Sequence, residues 1–161
     1  MGLIILDKPK MSLPSTQLSA SLEDYLEAIY ILSRSGKAAR SKDIAEHLQV
    51  ARSSVTGALR LLADKRMVHY KPYGYITLTD HGRQLAGRIV GRHNVLDAFF
   101  CEVLGVEPDT AQEAACLAEH AIGSQIAGRL RLYLEFLDAQ KQAGCDVSSA
   151  FRDYCRRAED G

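Results

Sequence analysis

Residues 41–79 constrain the fold of this chain more than any other stretch. Apolar residues recur there at three- and four-residue spacing in two short runs separated by Val50, which we expect to fill the break. This spacing places each run on one face of a short helix, and two such helices joined by a tight break are typical of a helix-turn-helix. The first run is Ile44, Ala45 and Leu48, and the second is Val55, Leu59 and Leu62.

Residues 67–79 predict a two-stranded hairpin directly after the second helix. Pro72, Tyr73 and Gly74 suit a turn, and β-branched and aromatic residues flank them. A hairpin in this position is a wing, which commonly lies along the DNA backbone. The fold class is therefore mainly α, with an N-terminal winged helix-turn-helix of three helices and a β-hairpin.

The outward face of the second helix carries hydroxyl and guanidinium groups. Such groups reach phosphates and base edges when a helix lies in the major groove. We expect Ser41, at the start of the helix that carries Ile44, to contact DNA as well. Lys71 and Tyr73 should contact the DNA backbone from the wing. The contacts predicted for the second helix are Arg52, Ser53, Ser54, Thr56 and Arg60.

The formal net charge of zero hides two oppositely charged parts of the chain. Residues 33–92 contain twelve Lys and Arg residues against four acidic residues, a net charge of +8, so the remainder carries −8. Local positive charge displaces counterions from DNA. A three-helix core without DNA binding would show the same apolar spacing, but the basic excess coincides with the helix-turn-helix and favours a DNA-binding protein.

The chain divides into an arm over residues 1–20, the winged unit over 21–79 and a helical domain over 80–161. Ser21 is the predicted cap of a first helix that runs to about Ser33. In the helical domain we expect a long helix from residue 80 to about 104, helices over about 108–122 and from Ser124, and a short terminal helix over 148–158. These helices carry more apolar residues than one small bundle needs, which predicts a homodimer.

The bulk sequence indicates a cytoplasmic protein with no membrane partner. No apolar run approaches the length of about 20 residues that a membrane span needs, and Leu3–Leu6 is too short for the core of a signal peptide. The four cysteines form no CxxC pair, so a disulfide framework or a zinc knuckle is not expected. We therefore expect a reducing compartment.

A group of candidate metal ligands occurs outside the DNA-binding stretch and in the first helix. Cys116, Glu119 and His120 follow one another at i, i+3 and i+4, so they share a helix face. Asp24 and Glu27 share a face of the first helix. Thiolate, carboxylate and imidazole together suit a borderline divalent metal. Each group also has an ordinary structural role in isolation, so the prediction depends on their convergence.

Four segments give that convergence an independent basis: SLEDYLEAIY, DIAEHLQVARSSVT, GRHNVLDAFF and CLAEH. In this order they resemble the iron- and manganese-dependent repressor family, the diphtheria toxin repressor and manganese transport regulator group, over roughly residues 21–137. The resemblance implies a winged helix-turn-helix, a helical metal-binding and dimerisation domain, and a metal site between them. The chain length resembles the shorter, manganese-type branch.

The resemblance also implies a ligand set of mixed character. Asp24 and Glu27 match the manganese-type carboxylates, and His93, Glu119 and His120 match ligands of both branches. Cys116 stands where the manganese type has a glutamate, and resembles the iron type. A soft thiolate favours Fe(II), Co(II) or Zn(II) over Mn(II). We therefore expect Fe(II) first and Mn(II) second, with Zn(II) or Co(II) binding in vitro.

The function expected on this basis is metal-activated repression of metal-uptake genes. Two carboxylates about 5 Å apart repel by roughly 3 kcal/mol at an effective dielectric constant near 20. A divalent cation reverses that sign and ties the first helix to the dimerisation helices, which would set the spacing of the two recognition helices. The operator is then an imperfect palindrome of double-stranded DNA.

Three other functions remain open from the residues alone. The first is a metal-independent winged-helix regulator that senses a small molecule or an oxidant through Cys116 or Cys101. The second is a metallohydrolase or thiol hydrolase, although the sequence has no HExxH, no glycine-rich phosphate loop and no nucleophile elbow, so we expect no enzyme. The third is a dimeric adaptor that does not bind DNA.

Overall fold

The computed structural model describes residues 18–34, 38–72 and 74–159, and it confirms a mainly helical chain with an N-terminal winged helix-turn-helix. The wing consists of two short strands between the third and fourth helices. The elements are α1 (Ala20–Arg34), α2 (Ser41–Leu48), α3 (Arg52–Asp64), β1 (Val68–His69), β2 (Thr77–Leu78), α4 (Asp80–Ala98), a π-helical turn (Phe99–Val103), α5 (Pro108–Glu119), α6 (Ser124–Gln142) and α7 (Val147–Glu159).

The predicted apolar faces of α2 and α3 form the core of the winged unit. Ile44, Leu59 and Leu62 are completely buried, together with Leu26 and Ile29 of α1. Burial of side chains this large removes roughly 1.5–3 kcal/mol of unfavourable hydration for each. The three helices are therefore held together by one continuous apolar cluster.

Two local predictions in this unit are wrong. Val50 is exposed and does not fill the break, because the turn is made by Gln49 in a left-handed conformation with φ of 54°. Helix α1 begins at Ala20, so Ser21 lies inside the helix. The cap is Ser19, whose hydroxyl accepts the backbone N–H of Leu22 at 3.4 Å.

The wing is anchored to the rest of the unit by a third backbone segment. Strands β1 and β2 pair antiparallel, with Val68 opposite Leu78. Ile76 N–H also donates to the carbonyl oxygen of Ala39 at 2.8 Å, which joins the wing to the loop before α2. The predicted wing contact Tyr73 lies outside the described residues.

Thr79 caps α4 and joins it to the wing. Its hydroxyl accepts Gly82 N–H at 3.0 Å and donates to the carbonyl oxygen of Arg66 at 2.8 Å. A Cβ on Gly82 would lie 1.9 Å from the carbonyl oxygen of Met67. Only glycine therefore permits this close approach of α4 to the wing.

The helical part differs from the prediction at two helix ends. The long helix does not continue regularly to residue 104, because Leu104 N–H donates to Phe99 at i→i+5 spacing and forms the π-helical turn. Gly105 follows the turn in a left-handed conformation with φ of 73°. Helix α5 ends at Glu119, earlier than expected, so His120 follows the helix. No helix in the described ranges combines the length and apolar content that a bilayer span requires.

Candidate metal centre and DNA-binding surface

The six predicted metal ligands line one pocket between α1, α4 and α5. Helix α1 supplies two carboxylates one turn apart, α4 supplies an imidazole, and α5 with the residue after it supplies the remaining three groups. The ligands are Asp24, Glu27, His93, Cys116, Glu119 and His120. Groups separated by up to about a hundred residues in sequence thus face one another. Asp97 of α4 does not line this pocket and instead contacts Cys101.

The shortest contacts connect the first helix to the residue after α5. His120 Nε2 lies 2.9 Å from Asp24 Oδ1 and 3.4 Å from Glu119 Oε1. His93 Nδ1 lies 2.9 Å from the other oxygen of Glu119. One donor atom each from Asp24, Glu119 and His120 lie within 4.8 Å of one another. This separation suits atoms that share one cation.

The carboxylates of the pocket carry unfavourable charge. Burial raises the pKa of Glu27 to about 7, and the negative charge of Glu119 adds to the shift. Glu119 is itself buried, which raises its pKa as well. The two acids therefore raise each other's cost of carrying a negative charge in this pocket. A divalent cation would neutralise the cluster, so the residues fit a metal.

A basic concave surface lies between α2, α3 and the wing. It contains four of the predicted DNA contacts, namely Ser41, Arg52, Thr56 and Arg60, and adds Arg40, Lys42, Tyr70 and Tyr75. Ser53, Ser54 and Lys71 are exposed next to it but do not line it. Exposed guanidinium and ammonium groups around α3, the second helix of the helix-turn-helix, suit contacts with DNA phosphates.

Both parts of the chain match known protein families. Residues 17–76 match the family described as "Iron dependent repressor, N-terminal DNA binding domain". Residues 79–145 match "Iron dependent repressor, metal binding and dimerisation domain". The chain belongs to the iron-dependent repressor family. This repressor is therefore a member of a family of metal-dependent DNA-binding transcription regulators, as the resemblance of its motifs implied.

Relatives in two organisms match nearly their whole length. An HTH-type transcriptional regulator of Methanocaldococcus jannaschii is 36% identical over 119 residues, which cover 73% of this chain and 95% of the relative. The HTH-type transcriptional regulator MntR of Geobacillus kaustophilus is 32% identical over 141 residues, covering 88% and 96% respectively.

Solved structures share the fold over a shorter part of their chains. A manganese-dependent transcriptional repressor in complex with manganese has a TM-score of 0.66 and 32% identity, and the match covers 71% of this chain and 53% of that one. T. acidophilum IdeR has a TM-score of 0.64 and 26% identity, with coverage of 74% and 56%. The repressor thus spans about half the length of these two solved chains.

Cys116 sits at the exposed rim of the pocket formed by the predicted metal ligands, which we call the metal pocket. Its Sγ lies 3.8 Å from His93 Nδ1. Partial burial raises the pKa of the Cys116 thiol, and the nearby Glu119 and Glu27 raise it further. The pKa of Cys101 is raised as well, by burial and by Asp97. Oxidant sensing requires a thiolate with a lowered pKa, so these surroundings disfavour either cysteine as a sensor thiol.

Glu23 and Arg92 complete the surroundings of His120, and neither was predicted from the sequence. One oxygen of Glu23 lies 2.9 Å from His120 Nδ1 and accepts a hydrogen bond from Arg92 at 2.8 Å. Such a partner fixes the imidazole so that Nε2 faces the metal pocket. The one available sequence signal was an acid four residues before Glu27, on the same helix face.

Arg40 is a third residue that was not predicted from the sequence. Its guanidinium lies 4.9 Å from the ring centroid of Tyr75 and donates a 2.7 Å hydrogen bond to the Tyr75 hydroxyl. The contact holds a positive charge between the loop before α2 and the wing, at the edge of the DNA-binding surface. No local pattern signals a pair that is 35 residues apart.

Proposed function

We propose that this repressor binds Fe(II) or Mn(II) between α1 and the α4–α5 region, and that the cation activates binding to a palindromic operator of metal-uptake genes. The active species would be a homodimer. The observation that carries the proposal is the 2.9 Å contact between Asp24 Oδ1 on α1 and His120 Nε2 after α5. It joins the DNA-binding part of the chain to the metal-binding and dimerisation part.

The coupling arises from the position of α1. This helix packs against α2 and α3, and also against α4. Without a cation, Asp24, Glu27 and Glu119 repel one another and weaken the attachment of α1 to α5. Neutralising them stabilises one arrangement of the winged unit relative to the dimerisation helices. Coupling of about 1–3 kcal/mol between metal and DNA is enough for a switch.

The donor set limits the choice of metal. Three carboxylates and two imidazoles suit Mn(II) and Fe(II), whereas the thiol of Cys116 favours softer ions. The sequence led us to expect Fe(II) ahead of Mn(II), and the names of MntR and of the manganese-bound structure support Mn(II). Cys116 is the residue through which the two metals would be distinguished.

Metal titration of the metal-free protein tests the proposal. Under anaerobic conditions, Fe(II) and Mn(II) should each tighten operator binding by about 10-fold or more, with Zn(II) and Co(II) as comparisons. His120→Ala should remain a folded dimer and lose this response. His81→Ala removes an exposed imidazole outside the pocket and should keep it. An unchanged metal response of His120→Ala would rule out the proposed centre.

The DNA affinity of the metal-loaded protein, measured at several salt concentrations, tests the DNA-binding surface. Arg52→Ala should weaken binding and reduce the slope of log affinity against log salt by about 1. Arg129→Ala, at an exposed site on α6 away from this surface, is the matched control and should leave the slope unchanged. Equal slopes for wild type and Arg52→Ala would remove Arg52 from the contacts.

A further inference from the structure

A second pocket shares His120 with the proposed metal centre. It runs between α4 and the first two turns of α6, and we call it the arginine pocket. Its charged lining consists of Arg88, Arg92 and Arg131 together with Glu23 and His120. Three guanidinium groups against one carboxylate leave the pocket positively charged. It shares no lining residue with the DNA-binding surface.

The backbone of α6 adds to this positive potential. The helix begins at Ser124, after the N-cap Gly123, which offers no side-chain cap. Its first turn contains no acidic residue. The free N–H groups and the helix dipole therefore favour a negative charge at the point where Gly123 and Ser124 line the pocket.

The arginines are only partly committed to partners within the chain. One NH2 group of Arg92 donates a hydrogen bond to Glu23. The Nε of Arg92 is buried and has no hydrogen-bond partner among the described residues. Leaving a charged donor buried and unpaired is costly. Arg131 pairs with Glu135 four residues on, and both side chains are more than half exposed. An exposed pair of this kind is weak and readily exchanged.

We propose that the arginine pocket binds a small phosphate-class oxyanion. Guanidinium groups present parallel N–H donors that match tetrahedral oxyanions, and a helix N-terminus supplies further donors. Arg88 and Arg131 line the pocket and can donate to the anion, while an NH2 group of Arg92 keeps its hydrogen bond to Glu23. Inorganic phosphate and a phosphate monoester share this chemistry.

The pocket is also connected to the metal centre. Arg92, Glu23 and His120 form a chain of two hydrogen bonds of 2.8 and 2.9 Å, and His120 lines both pockets. An anion that immobilises Arg92 immobilises Glu23, which in turn orients His120 toward the metal. The oxyanion therefore strengthens metal binding. This coupling rests on the proposed metal site, whereas anion binding itself does not.

Phosphate binding to the metal-free, full-length protein is the direct test. Titrations followed by calorimetry and ³¹P NMR, with inorganic phosphate and glycerol 3-phosphate in separate arms, distinguish free phosphate from a monoester. Saturable binding with a Kd of about 1 mM or tighter is expected in at least one arm. Arg88→Gln and Arg131→Gln should each weaken it by about 10-fold. Arg129→Gln, on the same helix but outside the pocket, should match wild type.

Two outcomes overturn anion binding in the arginine pocket. One is that neither inorganic phosphate nor glycerol 3-phosphate shows saturable binding. The other is that Arg129→Gln and Arg131→Gln lose the same amount of affinity. Circular dichroism of each variant establishes that it is folded.

A separate measurement tests the coupling. Protein loaded with one equivalent of Mn(II) should bind phosphate about 5-fold more tightly than metal-free protein, and Glu23→Gln should reduce that factor. Equal phosphate affinities with and without Mn(II) overturn the coupling. If Mn(II) itself does not bind, the proposed function fails, while the metal-free titration still decides the arginine pocket.

Discussion

The winged unit and the C-terminal helices bury their apolar side chains to very different degrees. Leu59 of α3 is 0% exposed, whereas Leu117 of α5 is 81% exposed. The winged unit encloses a continuous cluster that extends into the first half of α4, and helix α7 at the other end buries no residue at all. The first unit is therefore complete in one chain, and the second is not.

The exposed apolar side chains of the C-terminal helices are large, and some of their rings contact one another. The rings of Tyr133 and Phe136 stack with centroids 6.4 Å apart, and Phe99 lies against Tyr133. Apolar surface of this kind usually marks an interaction site. Since the family's second domain is described as a dimerisation domain, we expect a second copy to cover it. The exposed set includes Ile126, Leu132, Tyr133, Phe136, Phe151 and Tyr154.

A leucine pair gives the largest expected contrast between the regions. Leu59→Ala should lower the free energy of unfolding by about 2–5 kcal/mol, because it leaves a cavity in a closed core. Leu117→Ala should change it by no more than about 0.5 kcal/mol in the isolated chain. Urea denaturation at a protein concentration below the dimer dissociation constant measures both. Similar losses would show that the two regions are packed alike.

Glu27 lies where the two regions meet, and its substitution should stabilise the metal-free protein. The folded-state pKa of about 7 lies above the ordinary 4.5, so the contribution of this group is present below pH 4.5 and is lost as pH rises through 7. Glu27→Gln removes that loss. At pH 8 the variant should be more stable than wild type by about 2 kcal/mol.

The same substitution should abolish the metal response, because it removes a proposed ligand while leaving the fold intact. In wild type, metal affinity should increase from pH 5 to pH 7 as Glu27 gives up its proton. Thermal unfolding at pH 5 and pH 8, with and without Mn(II), measures both effects. A variant less stable than wild type at pH 8 would contradict this account of the charge cluster.

Weakening the attachment of α4 to the wing should lower the stability of the protein. Gly82→Ala should destabilise the protein by about 1–3 kcal/mol, because the new Cβ would meet the Met67 carbonyl oxygen at 1.9 Å. Gly91→Ala is the control on the same helix. Among the described residues, no atom outside the surrounding helix backbone lies within 4 Å of its Cβ position, so this change should be neutral or stabilising by up to about 1 kcal/mol. Equal effects would mean that the wing adjusts freely.

The sequence alone determined the helices, the wing and the residue types of the metal pocket. Apolar periodicity specified α1 to α3, because this signal acts between residues three or four positions apart. The six candidate ligands were identifiable through motifs whose order resembles a known family. The proposed boundaries of the three segments stay a prediction.

Only the tertiary structure decided which groups meet. Glu23 contacts His120 across 97 residues and Arg92 across 69, and Arg40 contacts Tyr75 across 35. A periodic pattern shows which face of a helix is buried, but it contains no information on the partner that packs against that face. The pairing follows from the packing of α1 against α4 and α5, since only this packing brings acids and imidazoles of distant segments within hydrogen-bond distance.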